Sequence, residues 1–577
     1  MKEGMAGQKG KSRLWIGILL LALGVASFVY WGGKKQVWFC DEIYTYESAN
    51  GFEQDWPATY VDQWMGGTDV EAFFAADQDR LALNDITVRL YNDHVPLYFW
   101  LFRMVSFFFF KGSGTIWIGL VINLFFYLII LGLGYVVLLR LTSHPLVSGC
   151  AMFVMGVANR LMLEQATVLR MYMMLLLAEA LLLAAGLLIL RKAGEGRLSP
   201  WALVFLSVVS VAGFLTHYHY WVFYGVMAAL FCTWLLALAV KSRGRRFWTA
   251  CSFWYAAAWV GSFLLSLFAT IKIFPYCQWN LNRGKGQTAL KSIFIFSTDK
   301  IRQIGWGYER LAVSLFGEGV PAALGLLAVF GCILGGMLIL YKKRQWGRLA
   351  GMVLTVLTAQ LYQIVVCFTM PDAWEERYLW GAFTFMMFCM VWGGILIGSE
   401  FYRRLGNEKV HGYIKLSSAL ILFISLLAGE IMVIDGGRGI AYLFHPEKDV
   451  ALLKEHRQEP WIVYGPTVGV YSYYDWILPE RICFLTAERS SEDEAAVSQA
   501  SGEADITIRY EDGAQQVILN GENVSGLIRT EQVGNMASAT SVYPAVRAHL
   551  LDLQRELAAG TNVIMDGRDI GTCVLPD

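Results

Sequence analysis

The chain has 577 residues, of which 56% are hydrophobic, and its 47 Lys and Arg balance its 47 Asp and Glu. Such apolarity excludes a soluble protein over most of the length, and a net charge of zero exerts no pull on nucleic acid, so no nucleic-acid partner is expected. The ten cysteines contain no Cys-x-x-Cys pair, which leaves neither a disulfide framework nor a thiolate metal site.

Lys2, Lys9, Lys11 and Arg13 precede an uncharged apolar run over 14–31, which predicts a first membrane helix with its N-terminus in the cytoplasm. Gly10-Lys11-Ser12 ends as a Walker sequence does. Met5 stands where that pattern requires glycine, however, and no strand precedes it, so the stretch reads as a basic tail. Residues 41–94 form the first long polar segment, an outer loop with a short helix expected over 72–84. A short apolar run over 96–110 reads as a half-span, because it is too short to cross a bilayer. Further spans are expected near 116–139, 145–163, 172–190, 201–217, 219–240, 250–271, 319–341, 349–369, 377–398 and 413–434, a total of 11 to 13. The basic loops at 140–144, 191–197, 241–246, 342–348 and 403–409 are spaced as cytoplasmic loops. The reading is a mainly α, multi-pass protein of the cell membrane, with everything after about 435 extracytoplasmic. It divides into a transmembrane domain over 1–434, a small outer α/β domain and linker over 435–503, and a terminal segment over 504–577.

This topology gathers ionisable residues at the outer ends of the spans, where they are costly and therefore candidates for function. Asp41 and Glu42 leave the first span, Glu164, Arg170 and Tyr172 surround a later outer loop, His217, Tyr218 and His219 mark a turn, and Glu375, Glu376 and Arg377 open another span. Asp41 also suits a helix cap, Arg377 a pairing with Glu375, and His217 an interfacial position. The outer loop 272–318 carries Arg283, Lys285, Lys291, Lys300, Arg302 and Arg310, which suggests an anionic partner such as phosphate.

The order of these pieces resembles the GT-C superfamily, in particular the protein O-mannosyltransferase and lipid A aminoarabinose transferase group. The resemblance rests on Asp41-Glu42, His94-Val-Pro96-Leu-Tyr98, Arg170-Met-Tyr172, Thr216-His217-Tyr218 and Glu376-Arg377-Tyr378, with Trp461-Ile-Val-Tyr464-Gly in the small outer domain, and spans about 1–500. It implies a membrane glycosyltransferase whose donor is a polyprenyl-phosphate sugar and whose acceptor is an extracytoplasmic glycan, lipid or protein. It also implies Asp41 as the base, with inversion at the anomeric carbon. Arg170, Arg377 or a basic residue of loop 272–318 would then stabilise the leaving phosphate. Glu42 and Glu164 stand as second carboxylates, orienting the acceptor or holding a divalent cation; the metal requirement stays open.

The terminal segment is similar to cytidylate (CMP/dCMP) kinase. Val517-Ile-Leu-Asn520-Gly-Glu-Asn-Val-Ser525, Pro544-Ala-Val-Arg547 and Met565-Asp566-Gly-Arg568-Asp569-Ile-Gly-Thr572 run in that family's order. The resemblance implies that Ser538, Arg547 and Asp569 face the cytosine and sugar of CMP and that Arg568 faces its phosphate. The family's phosphate-binding loop and helical lid have no counterpart in the segment, so an inert kinase fragment is expected. Two other readings remain: a cytidylate kinase, and a transporter or flippase for the lipid-linked sugar.

Overall fold

The structure is a computed structural model. It describes residues 2–35, 40–50, 64–66, 75, 81–90, 94–111, 113–241, 249–278, 291–292, 295, 297–317, 319–369, 375–404, 451–452, 454–465, 480–486, 494–511, 514–526, 528, 531–560 and 574–575. Two compact units result: Met1–Phe52 with Glu71–Leu452, and Glu53–Val70 with Leu453–Asp577.

The first unit is helical. It begins with α1 (Lys2–Gly33), α2 (Cys40–Asn50), the short α3 (Leu83–Arg89) and α4 (Leu97–Phe109). There follow α5 (Trp117–Thr142), α6 (Pro145–Met152), α7 (Arg160–Thr167), α8 (Tyr172–Gly194), α9 (Pro200–Phe214), α10 (Tyr218–Lys241) and α11 (Cys251–Ile273). The unit closes with α12 (Thr298–Phe316), α13 (Ala322–Lys342), α14 (Trp346–Thr369) and α15 (Trp380–Arg404). Among the described residues, eight of these helices are long and apolar enough to cross a membrane: α1, α5, α8, α10, α11, α13, α14 and α15. Trp201, Phe268 and Leu327 stand exposed on helix flanks, as side chains in contact with lipid do. The chain is therefore a membrane protein.

Two expectations change in detail. The span expected at 145–163 is α6 and α7 bent by 55°. A π turn at Phe153–Val157 widens the helix, and Asn159 then starts a new one by accepting the Leu161 amide at 3.0 Å. The run at 201–217 makes a helix of only 15 residues, started by Ser199 with Pro200 behind it and ended at Phe214. The outer segment holds α2 and α3, while most of the helix expected over 72–84 lies outside the described residues. The span expected at 413–434 lies outside the described residues.

Small residues set a close helix crossing. A Cβ on Gly336 of α13 would come within 2.7 Å of the Gly393 Cα on α15, and one on Gly393 would run into the Cys332 carbonyl. Backbones meet there, and nothing can give way. Gly393→Ala is therefore expected to destabilise the protein by about 1–3 kcal/mol, as overpacking does. Gly398→Ala, on the same helix with open space around it, should be neutral or stabilising. Thermal unfolding of the two variants in detergent checks the difference in sign.

The second unit holds the described strands. β1 (Trp64–Gly66) pairs antiparallel with β3 (Arg481–Thr486), which pairs parallel with β2 (Trp461–Gly465). Arg481 lies over the Trp64 ring at 5.0 Å. A short piece of the segment read as outer loop thus joins the sheet of the terminal unit. α16 (Glu494–Glu503) is a helix where the composition suggests a linker. β4 (Ile506–Glu511), β5 (Ala514–Leu519) and β6 (Glu522–Asn523) form an antiparallel meander, followed by α17 (Glu531–Thr540) and α18 (Pro544–Gly560). Asn520 and Gly521 turn β5 into β6 with φ of 48° and 88°, the left-handed pair that an Asn-Gly hairpin provides.

Candidate functional site

The site in the first unit is built on the start of α2. Asp41 and Glu42 occupy its first turn, where unpaired amides and the helix dipole favour negative charge. Their side chains have different surroundings. The Asp41 carboxylate keeps about a fifth of its surface exposed and meets the Arg377 guanidinium at 2.8 Å. Glu42 is fully buried; its Oε1 accepts from the Lys35 ammonium at 2.9 Å and from the Leu169 amide at 2.7 Å. Asp41 stays partly exposed, whereas Glu42 holds the corner between α7 and α8 against α2.

Arg170 lies in that corner. Its Nη1 donates to the Asp41 carbonyl at 2.9 Å and to Thr45 Oγ1 at 3.0 Å, and its Nη2 to His94 Nε2 at 2.8 Å. The His94 ring is 5.8 Å from that of His217, and His217 stacks on His219 at 5.0 Å. His219 stacks in turn on Tyr378 at 4.7 Å, beside Arg377. Tyr172 closes the ring, 6.0 Å from His217 and 5.3 Å from Trp380. Asp41, Arg170, Tyr172, His217 and Arg377 therefore converge.

Other expected residues stand elsewhere. Glu164 is buried on α7 with Arg160 at 3.6 Å, and Tyr218 packs edge-on against Trp221 at 5.3 Å. Among the basic residues of 272–318, Lys300 is buried against Phe368 and bonds the Ser292 carbonyl, Arg310 pairs with Glu376 at 2.7 Å, and Arg302 pairs with Asp299 at 3.1 Å. Arg283 and Lys285 lie outside the described residues. Among the described residues no group of three or more His, Cys, Asp or Glu is arranged to hold a metal ion. Sequence reasoning passed over Lys35, Thr45 and Trp380. A lysine a few positions before two carboxylates was the one local signal among them.

His217 accepts the His219 amide at Nδ1, 3.0 Å away, which requires a neutral ring nitrogen there. Burial, then the neighbouring His219, Arg170 and Arg377, push its pKa well below the ordinary value of 6.5. The unfolded chain binds a proton there that the folded chain refuses, so stability falls as pH drops below the ordinary histidine value. We expect the parent to lose thermal stability between about pH 7.5 and pH 5.5, and His217→Asn to lose less over that range. Unfolding temperatures at the two pH values check this.

In the terminal unit, Arg547 is exposed on α18. Ser538 lies on α17, while Arg568 and Asp569 lie outside the described residues. Residues 475–577 match the cytidylate kinase family model. The match starts ahead of the boundary expected at 504. Among curated proteins, the chain is similar to the cytidylate kinase of Lactobacillus gasseri, 41% identical over 110 residues, covering 18% of this chain and 48% of the relative. It is similar also to that of Actinobacillus succinogenes, 46% identical over 87 residues, 15% of this chain and 38% of the relative. That of Carboxydothermus hydrogenoformans is 42% identical over 96 residues, 17% and 43%. The chain spans about half the length, or less, of the curated relatives it matches. A cytidylate kinase segment therefore ends this chain, behind a helical membrane part.

Proposed function

We propose that the chain is a membrane glycosyltransferase of the GT-C type, transferring a sugar from a polyprenyl-phosphate donor to an extracytoplasmic acceptor. The observation that carries it is the partly exposed Asp41 carboxylate, held at 2.8 Å by Arg377 beside Arg170, Tyr172 and His217. An acceptor hydroxyl gives its proton to Asp41 while its oxygen bonds the anomeric carbon. The bond from that carbon to the phosphate oxygen breaks, and the lipid phosphate leaves with the electron pair. The displacement inverts the anomeric centre, and the charge that develops on the phosphate lies within reach of the arginines. Arg377 also orients the base before reaction. An outward site accounts for a lipid-linked donor, since nucleotide sugars are confined to the cytoplasm.

The test is transfer of labelled sugar from polyprenyl-phosphate donors by the protein in membranes, with the full chain and with one ending near residue 500. Transfer that survives the shortening supports a terminal segment dispensable to the reaction. If neither donor sugar nor lipid phosphate is turned over, the reading fails.

A second reading is favoured by the family match over 475–577: phosphorylation of CMP or dCMP. That segment contains no Gly-x-x-x-x-Gly-Lys-Ser/Thr sequence to cradle a triphosphate, so we hold it to be inert in phosphoryl transfer. Formation of CDP from CMP and ATP by the purified chain would overturn that.

A further inference from the structure

Beside Arg377 the protein keeps a small cavity of about 10 Å³, room for about one water-sized group. Tyr172, Tyr378 and Arg377 line one part of it, and Glu179, Trp380 and Gly381 another. Tyr172 and Glu179 are two turns apart on α8, which puts them on one face and about 10 Å apart along the axis. The cavity thus lies between residues of the candidate site and Glu179.

Glu179 is fully buried in a membrane-length helix, and neither of its carboxyl oxygens has a hydrogen-bond partner. The buried indole Nε1 of Trp380 has none either. Glu42 offers the contrast, since both a cation and an amide hold it. A buried carboxyl without a partner is costly and is retained where a ligand completes it. Gly381 gives the Glu179 carboxyl its place beside the cavity, because any Cβ at that position would run into it. A phosphate is too large for a space of about one water-sized group, and an alkyl group would leave both the carboxyl and the indole unmet. A hydroxyl both donates and accepts, and it has the size of the space.

We infer that this cavity is a subsite for one hydroxyl of the transferred sugar, with Glu179 accepting its O–H and Trp380 Nε1 donating to its oxygen. The inference rests on the glycosyltransferase reading and makes Glu179 a residue that selects the sugar. A polyprenyl-phosphate sugar is held at the membrane by its own anchor, and we take this donor as the source of the hydroxyl.

The experiment measures binding to the full-length protein in nanodiscs of polyprenyl phosphate, of polyprenyl-phosphate mannose, glucose and galactose, and of the monodeoxy forms of the preferred hexose. Removal of one particular hydroxyl is expected to weaken binding to the parent by about 10- to 100-fold, the cost of leaving buried polar groups unmet. In Glu179→Leu, and in Gly381→Ala where the carboxyl stays but its space is filled, that discrimination should shrink to within about threefold. Bare polyprenyl phosphate should bind all three proteins alike, which also certifies their folding. If both variants keep the parent's discrimination, or if Glu179→Leu weakens bare lipid and every hexosyl lipid equally, the subsite is overturned while the donor reading stands. If the parent binds no hexosyl lipid better than bare lipid, the donor reading falls and the subsite with it.

Discussion

Asp41→Asn is expected to lower sugar transfer by about 100- to 10,000-fold, the range that a positioned general base contributes. The substitution is nearly isosteric. Asparagine keeps an oxygen facing the Arg377 guanidinium, and the backbone carbonyl of residue 41 still accepts from Arg170. Donor affinity should therefore change little, and the loss should fall on the rate of the bound complex. Initial rates at saturating polyprenyl-phosphate sugar, with an unfolding temperature measured alongside, separate a lost base from a lost fold. Arg377→Lys gives the companion result: it keeps a cation near Asp41 but loses the planar fork, so some activity remains. A loss below about threefold in Asp41→Asn would remove Asp41 from the chemistry, because no general base contributes so little.

Glu42→Ala is expected to cost about 3–5 kcal/mol of stability, the penalty for stranding one member of a buried ion pair. Lys35 and Glu42 are both fully shielded, and the same carboxylate also holds the Leu169 amide. Removing it takes away the buried carboxylate that holds both the Lys35 ammonium and the Leu169 amide at the corner that positions Arg170. The double variant Lys35→Met with Glu42→Leu should recover most of the loss, since replacing both charges by apolar groups removes the stranded one. Thermal unfolding of the single and double variants measures the difference. Activity then distinguishes two tasks for Glu42. A stable double variant that still transfers sugar assigns Glu42 to holding α2 in place, and a stable but inactive one returns it to the reaction as a second carboxylate.

These expectations differ in how far they were legible in advance. Asp41, Arg170, Tyr172, His217 and Arg377 stood out because charged and polar residues at the ends of apolar spans are rare enough to be noticed singly. Glu164 stood out for the same reason, yet it pairs with Arg160 on its own helix at 3.6 Å. The basic residues of 272–318 suggested a phosphate site, but Lys300 and Arg310 are taken up by Ser292 and Glu376. A charge in sequence does not reveal whether its partner is a ligand or a neighbour. Glu179 was passed over because a single acid inside a long apolar run barely disturbs the span pattern.

What the sequence by itself determined is local. Hydrophobic runs of about 20 residues specify membrane-length helices because an apolar helix satisfies its own backbone without any partner. The Asn-Gly pair between β5 and β6 specifies its turn in the same way, through two positive φ angles. What only the tertiary structure decided is pairwise: Asp41 with Arg377, Lys35 with Glu42, Gly336 against Gly393, and Glu179 left without a partner beside Gly381. All but the Lys35–Glu42 pair depend on two segments far apart in the chain meeting at a distance of a few ångströms. The energy of an ion pair or a close crossing is set by that distance and by the burial around it, and neither quantity is carried by any one stretch of residues.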